Sequence, residues 1–250
     1  ANPQTIIDTT PFKWNRKTYK DYKNYGPTNS VEDIIMKSSN VGTIRMALAA
    51  GTTAQKKTLN DLGFFEAVPV ELGEASRTKP QIPKNWSDTS TITISFGHGI
   101  SATPLHLATA YSIVANGGFR VKPTIKKVNS NNLAKEKVIS QKTSQQLISM
   151  LRRVVSEVDG TAKMAKVDGY QVAGKTGTAE KIKPTGGYYD KKVIATFASF
   201  FPASNPKYTL VVSLDEPEIE VLGESRRTAG FTAVPVAAEI ITRVAPILNL

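Results

Sequence analysis

A chain of 250 residues with 40% apolar and 21% charged residues is long enough to bury a core and too apolar for a disordered polymer. It has no cysteine and only two histidines, His98 and His106, which excludes disulfide scaffolds, Cys-ligated zinc, iron–sulfur clusters and thiol nucleophiles and leaves little for a His-rich metal site. The net charge of +11 is uneven: residues 120–153 hold nine basic residues against Glu136, and residues 13–23 interleave five with Trp14, Tyr19 and Tyr22 around Asp21.

Cations interleaved with aromatics can track a nucleic-acid backbone, but no RNA or DNA motif accompanies them. We read them as solvated surface that attracts polyanions, anionic lipid headgroups included. No stretch reaches the roughly 18 consecutive apolar residues of a membrane span. Ala1-Asn2-Pro3-Gln4 has no initiator Met and no apolar signal region, so it reads as a cut end.

In chain order, residues 1–29 are polar and aperiodic and read as a long connection. Ser30 is a helix N-cap, with Glu32 and Asp33 suited to the first turn. Ser38-Ser39-Asn40 interrupts the apolar run Ile34–Met36, and Val41, Ile44 and Leu48 resume a helix closed by Gly51. Thr53–Leu62 reads as a further helix and 66–92 as a loop. Thr103-Pro104 starts a helix that Asn116-Gly117-Gly118 stops. Residues 141–157 form another, with Leu147, Ile148, Leu151, Val154 and Val155 on one side. The pattern then changes to β-rich runs at Gly169–Ile182, Val193–Phe201 and Tyr208–Leu214, as an antiparallel meander requires, before a closing helix at Pro235–Leu248. The fold class is α+β: an antiparallel sheet with helices for both faces.

The stretch richest in chemistry is Val172-Ala173-Gly174-Lys175-Thr176-Gly177-Thr178-Ala179-Glu180. On a strand, Thr176 and Thr178 share one side and Lys175 takes the other. Two hydroxyls in line beside an ammonium make a carboxylate receptor. Gly177 leaves room for a ligand or another element against the backbone, and on an edge strand the free N–H and C=O groups could pair with an extended peptide. Gly169 through Thr176 also satisfies the bare phosphate-loop pattern. Its four central residues are bulky or β-prone, however, and strand grammar continues where that motif turns into a helix.

Lys-Thr-Gly, Ser-x-Asn and a Ser-x-x-Lys nucleophile form the active-site set of the penicillin-recognising acyl-serine enzymes. Ser38-Ser39-Asn40 resembles the second motif. Phe96–Ala108, Ala115–Gly118, Val172–Ala179, Phe197–Pro202 and Ala233–Val236 match landmarks of the class B penicillin-binding protein transpeptidases, septal cell-division type, in the right order. The resemblance spans nearly the whole chain, and it implies a serine β-lactamase/penicillin-binding-protein transpeptidase-like fold. The nucleophile should precede Ser38, and none of the 37 residues before it contains Ser-x-x-Lys. Ser76-Arg77-Thr78-Lys79 fits the spacing but is out of order, and Lys79 precedes Pro80, which disfavours helix. The expectation is therefore a partial transpeptidase domain over residues 1–250 that begins after its nucleophile helix.

The resemblance implies roles for the remaining residues. Ser38 would relay a proton, and Asn40 would bind the substrate amide. Lys175 would supply positive potential and hold the substrate carboxylate with Thr176 and Thr178, and Gly177 would leave the strand approachable. The Thr178 N–H would be one of two oxyanion donors. The parent reaction would cross-link peptidoglycan stem peptides, with β-lactams as inhibitors, divisome membrane proteins as partners, no cofactor, no metal and no nucleic acid. Location would be the periplasmic face of the bacterial inner membrane. A serine β-lactamase-like hydrolase and a non-catalytic peptidoglycan- or nucleic-acid-binding module are the alternatives.

Overall fold

The computed structural model describes residues 2–129 and 133–250; Ala1 of the expected cut end and residues 130–132 of the basic segment lie outside them. Near the N-terminus, the Ser30 hydroxyl accepts the Asp33 N–H and opens α1 (Val31–Lys37), as its position before Glu32 and Asp33 predicts. Helix α1 ends at Ser38 in a left-handed conformation, φ 61°. The next residue, Ser39, caps α2 (Asn40–Ala50) by accepting the Gly42 N–H at 2.9 Å. One tripeptide thus ends one helix and starts the next. Helix α3 (Thr52–Asp61) follows at once.

The central sheet is antiparallel, in the order β7 (Ala173–Ile182), β8 (Tyr188–Phe201), β9 (Tyr208–Asp215). This is the expected meander, with β7 at an edge. Alternation along β8 sends its apolar side chains into two cores. Ala195, Phe197 and Phe201 join Val154 and Val155 of α6 (Gln141–Ser156) and Val234, Ala237 and Ile241 of α7 (Ala233–Ile247). Phe200 instead packs with Ala173, Leu151 and, from α5 (Pro104–Ala115), Tyr111 and Val114. Helices therefore cover both faces, as the α+β reading requires. Thr103 caps α5 with Pro104 at its first position, as predicted.

Three expectations change. Residues 1–29 are not one open connection: β1 (Ile6–Asp8) pairs with β4 (Thr28–Ser30), and β2 (Phe12–Trp14) pairs with β3 (Lys17–Tyr19). Three-residue strands are too short to show a period. This hairpin is held by tertiary contact, with Tyr19 buried beside Ile44 and Ile92, and Phe12 and Trp14 packed on that cluster. The expected loop 66–92 contains a 3₁₀ turn (Gly73–Arg77) and the start of α4 (Asp88–Ser95). The β-branched sequence of α4 has poor helix propensity; a Ser87–Ser90 capping box and burial of Ile92 supply what propensity does not. Two further strand pairs went unpredicted, β5 (Phe119–Val121) with β6 (Lys135–Lys137) and β10 (Ile219–Val221) with β11 (Glu224–Arg226).

Gly174 shows why β7 needs a glycine beside Lys175. A Cβ there would lie 2.6 Å from the Ala198 carbonyl oxygen and 2.8 Å from the Phe197 ring. Gly174→Ala is expected to lower stability by about 1–3 kcal/mol through overpacking, read as a lower denaturant midpoint. An unchanged midpoint would mean that β7 yields without cost.

Candidate active site

The shortest link between the two predicted motifs is direct: Lys175 Nζ donates to Ser38 Oγ at 2.7 Å. The sheet supplies the lysine from β7 and the α1–α2 junction supplies the serine, 137 residues apart in sequence. Lys175 Nζ also donates to the Thr176 carbonyl at 3.2 Å. Burial pushes the Lys175 ammonium down to about 8, because desolvation disfavours the charged form. Asn40 opens α2 two residues beyond Ser38, and both are exposed. The turn between them is braced from an unexpected direction. Asp21 accepts the Ser39 hydroxyl proton at 2.6 Å and the Val41 N–H at 3.0 Å.

Thr176 Oγ1 lies 2.8 Å from Thr161 Oγ1. Thr178 Oγ1 accepts the Ala229 N–H at 3.0 Å, so the segment before α7 is tied to β7 at that point. Both threonines fall on the opposite side of the strand from Lys175 by the strand period. At Gly177 a Cβ would approach only the Thr196 carbonyl, at 4.0 Å, which leaves that part of β7 open. The other predicted landmark also reaches this strand: His98 Nε2 sits 2.7 Å from Glu180 Oε2, and the His98 ring packs edge-on against Tyr188. His106, in contrast, is structural. Its Nε2–H donates to the Glu66 carbonyl, and its Nδ1 faces the Thr103 hydroxyl at 2.8 Å.

The competing motifs do not assemble. Gly169 lies in a turn closed by a Val167–Tyr170 bridge, and Gly174–Thr176 is extended strand, so no phosphate cradle forms before a helix. Ser76 is on the exposed 3₁₀ turn and Lys79 lies beyond it. Ser204-Asn205-Pro206-Lys207 satisfies the same spacing and was missed as a second match; it occupies the β8–β9 turn and is not helical. Among the described residues no group of three or more His, Cys, Asp or Glu is placed to hold a metal.

Asp21 and Thr161 are the site residues that sequence reasoning missed. Asp21 registered only as the lone acid of a basic stretch, since its partners lie 18 and 20 residues on. Thr161 follows α6 in a segment that no motif marks.

Residues 1–242 match the model of the penicillin binding protein transpeptidase domain. The chain belongs to that family. It is 32% identical over 247 residues to the probable peptidoglycan D,D-transpeptidase FtsI of Caulobacter vibrioides, covering 96% of this chain and 42% of the relative. It is also 32% identical to the peptidoglycan D,D-transpeptidase FtsI of Escherichia coli K12, covering 98% of this chain and 40% of the relative. The chain therefore spans about two fifths of the length of these curated relatives. Among solved structures, this transpeptidase-family chain superposes on the transpeptidase domain of Burkholderia pseudomallei penicillin-binding protein 3 with a TM-score of 0.88 and 31% identity, covering 99% of this chain and 73% of that one. The aztreonam complex of Mycobacterium tuberculosis penicillin-binding protein 3 gives a TM-score of 0.85 and 29% identity, covering 100% and 58%. The expected fold class and the septal-type family likeness both hold.

Proposed function

We propose that this chain is part of the transpeptidase domain of a peptidoglycan D,D-transpeptidase of the septal type, lacking the segment that carries the nucleophilic serine. The observation that carries this reading is the Lys175–Ser38 hydrogen bond of 2.7 Å beside Asn40. In the proposed reaction, a serine hydroxyl outside these residues attacks the carbonyl of a D-Ala–D-Ala stem peptide. Its proton passes to the lysine of its own Ser-x-x-Lys motif. Ser38 relays a proton to the departing D-Ala amine as the peptide C–N bond breaks. The acyl ester is then attacked by the amine of a neighbouring stem peptide, which returns the proton and frees the serine.

Asn40 holds the substrate amide. Lys175 supplies the positive potential that keeps the Ser38 proton directed, and Thr176 and Thr178 receive the terminal carboxylate. The Thr178 N–H is one oxyanion donor. Gly177 leaves room over the face of β7 on the Lys175 side, and β7, at the edge of the sheet, offers its free backbone groups to the extended peptide. β-Lactams acylate the same serine, and the working location is the periplasmic side of the inner membrane among division proteins. No helix among the described residues is long and apolar enough to cross a membrane.

Fluorescent penicillin tests this reading. The 250-residue chain alone should form no covalent adduct, and a protein that joins it to a Ser-x-x-Lys segment of this family should be labelled on that serine. An adduct on the isolated chain, or none on the joined protein, overturns the reading. Turnover of penicillin without a stable adduct would favour the β-lactamase-like alternative instead.

A pH profile follows from Lys175, whose ammonium titrates near 8 against an ordinary 10.5. Protonation is complete below that value and is lost as pH rises through it, so labelling should fall on an alkaline limb centred near pH 8. The titration of Lys175 does not produce this limb by unfolding the protein. Between about 8 and 10.5 the unfolded chain binds the Lys175 proton and the folded chain does not, so this group adds stability as pH rises. A labelling rate that climbs through pH 8 would make Lys175 a base rather than a source of positive potential.

A further inference from the structure

Ser38 and Asn40 are exposed, and the residue between them, Ser39, is buried at 1% exposure. What grips Ser39 therefore decides where both neighbours point. The grip is Asp21, which stands on the loop after β3, far from α2 in sequence. Its Oδ2 accepts the Ser39 hydroxyl proton at 2.6 Å and its Oδ1 accepts the Val41 N–H at 3.0 Å. The Ser39 hydroxyl in turn accepts the Gly42 N–H at 2.9 Å. One carboxylate thus satisfies two of the unpaired N–H groups at the start of α2, one of them through Ser39, and its charge complements the helix dipole. Lys20 and Lys23 flank Asp21 in sequence, yet both of these hydrogen bonds reach across the fold to the turn.

The turn needs such a brace. Ser38 holds φ 61°, a left-handed conformation that non-glycine residues keep only where the surroundings impose it. In that conformation its hydroxyl meets Lys175 Nζ. We infer that Asp21 is a positioning residue of this site: its carboxylate clamps Ser39 and the first turn of α2, and so presents Ser38 and Asn40 to Lys175 and the substrate. The inference deepens the proposed transpeptidase function and rests on it for the kinetic readout alone.

The test uses the joined, penicillin-labelled protein with Asp21→Ala, Asp21→Asn and Ser39→Ala. Acylation by fluorescent penicillin is resolved into the affinity of the first complex and the rate of the covalent step. Asp21→Ala is expected to slow the covalent step by about tenfold to a hundredfold, the scale of a small misplacement of reacting groups, with first-complex affinity little changed. Asp21→Asn keeps one acceptor oxygen and should recover much of the rate. Ser39→Ala breaks the clamp at its other end and should fall between them.

Amide exchange of Val41 and Gly42 reads the clamp without any chemistry, and Asp21→Ala should raise exchange there while β7 and β8 keep their protection. An Asp21→Ala protein with wild-type covalent rate, or with unchanged Val41 and Gly42 protection, overturns the inference. A loss that Asp21→Asn fails to relieve, shared with a general fall in protection, makes Asp21 a purely structural residue and also overturns it. An unmodified protein that penicillin does not label sinks the proposed function, and the exchange measurement still decides the clamp.

Discussion

Lys175→Met should cut the rate of covalent labelling by fluorescent penicillin about 10²–10⁴-fold in a protein that joins this chain to a Ser-x-x-Lys segment, the range over which a positioned proton-transfer or charge-stabilising group acts. Methionine keeps most of the apolar stem and removes the ammonium that donates to Ser38 Oγ at 2.7 Å. Ser38 is exposed, so water can take the vacated donor position without leaving a buried group unpaired. Stability should hold or rise, because the same burial that lowers the Lys175 titration to about 8 is an unfavourable term for the charged side chain. Lys175→Arg should not rescue the rate, since a planar guanidinium cannot occupy the space of a compact ammonium. Labelling within about threefold of the parent rate in Lys175→Met would remove this residue from the proposed chemistry.

The largest effect on stability is expected at Phe197→Ala, about 3–5 kcal/mol from lost burial and the cavity left behind. Phe197 has no exposed surface and stands opposite Thr176 in the β7–β8 register. It fills the core between the sheet, α6 and α7, and its ring lies against Gly174. The mutation therefore acts on the site as well as on the core, because it removes the surface on which the strand carrying Lys175 rests. Phe200→Ala empties the other face and should cost a similar amount with less effect on labelling per unit of stability lost. Denaturant midpoints with unchanged slope measure both. A loss below about 1 kcal/mol for Phe197→Ala would show that the core collapses into the space.

The elements legible in advance are those with local signals. Ser30 and Thr103 cap their helices through side-chain oxygens that lie next to the first turn, so the sequence carries the whole device. The three long strands show because eight or more residues give room for a period. The short hairpins were hidden for the opposite reason. Tyr19 becomes a core residue only when Ile44 and Ile92 arrive from elsewhere in the chain. Helix α4 was hidden because burial overrides its weak propensity.

The site divides along the same line. Ser38, Asn40, Lys175, Thr176, Gly177 and Thr178 belong to compact motifs, and the resemblance to the family could be read from them without any fold. Their order along the chain also carried the family likeness that residues 1–242 bear out. Asp21 and Thr161 have no such mark, because their meaning is a distance to a partner. The sequence by itself determined the α+β class and the caps at Ser30 and Thr103, since those rest on patterns and contacts within a few positions. Only the tertiary structure decided that Lys175 donates to Ser38 and that a carboxylate from residue 21 holds the turn between Ser38 and Asn40. Both are hydrogen bonds between groups that meet only after the chain has folded, and side-chain reach across packed elements leaves no periodic trace in sequence.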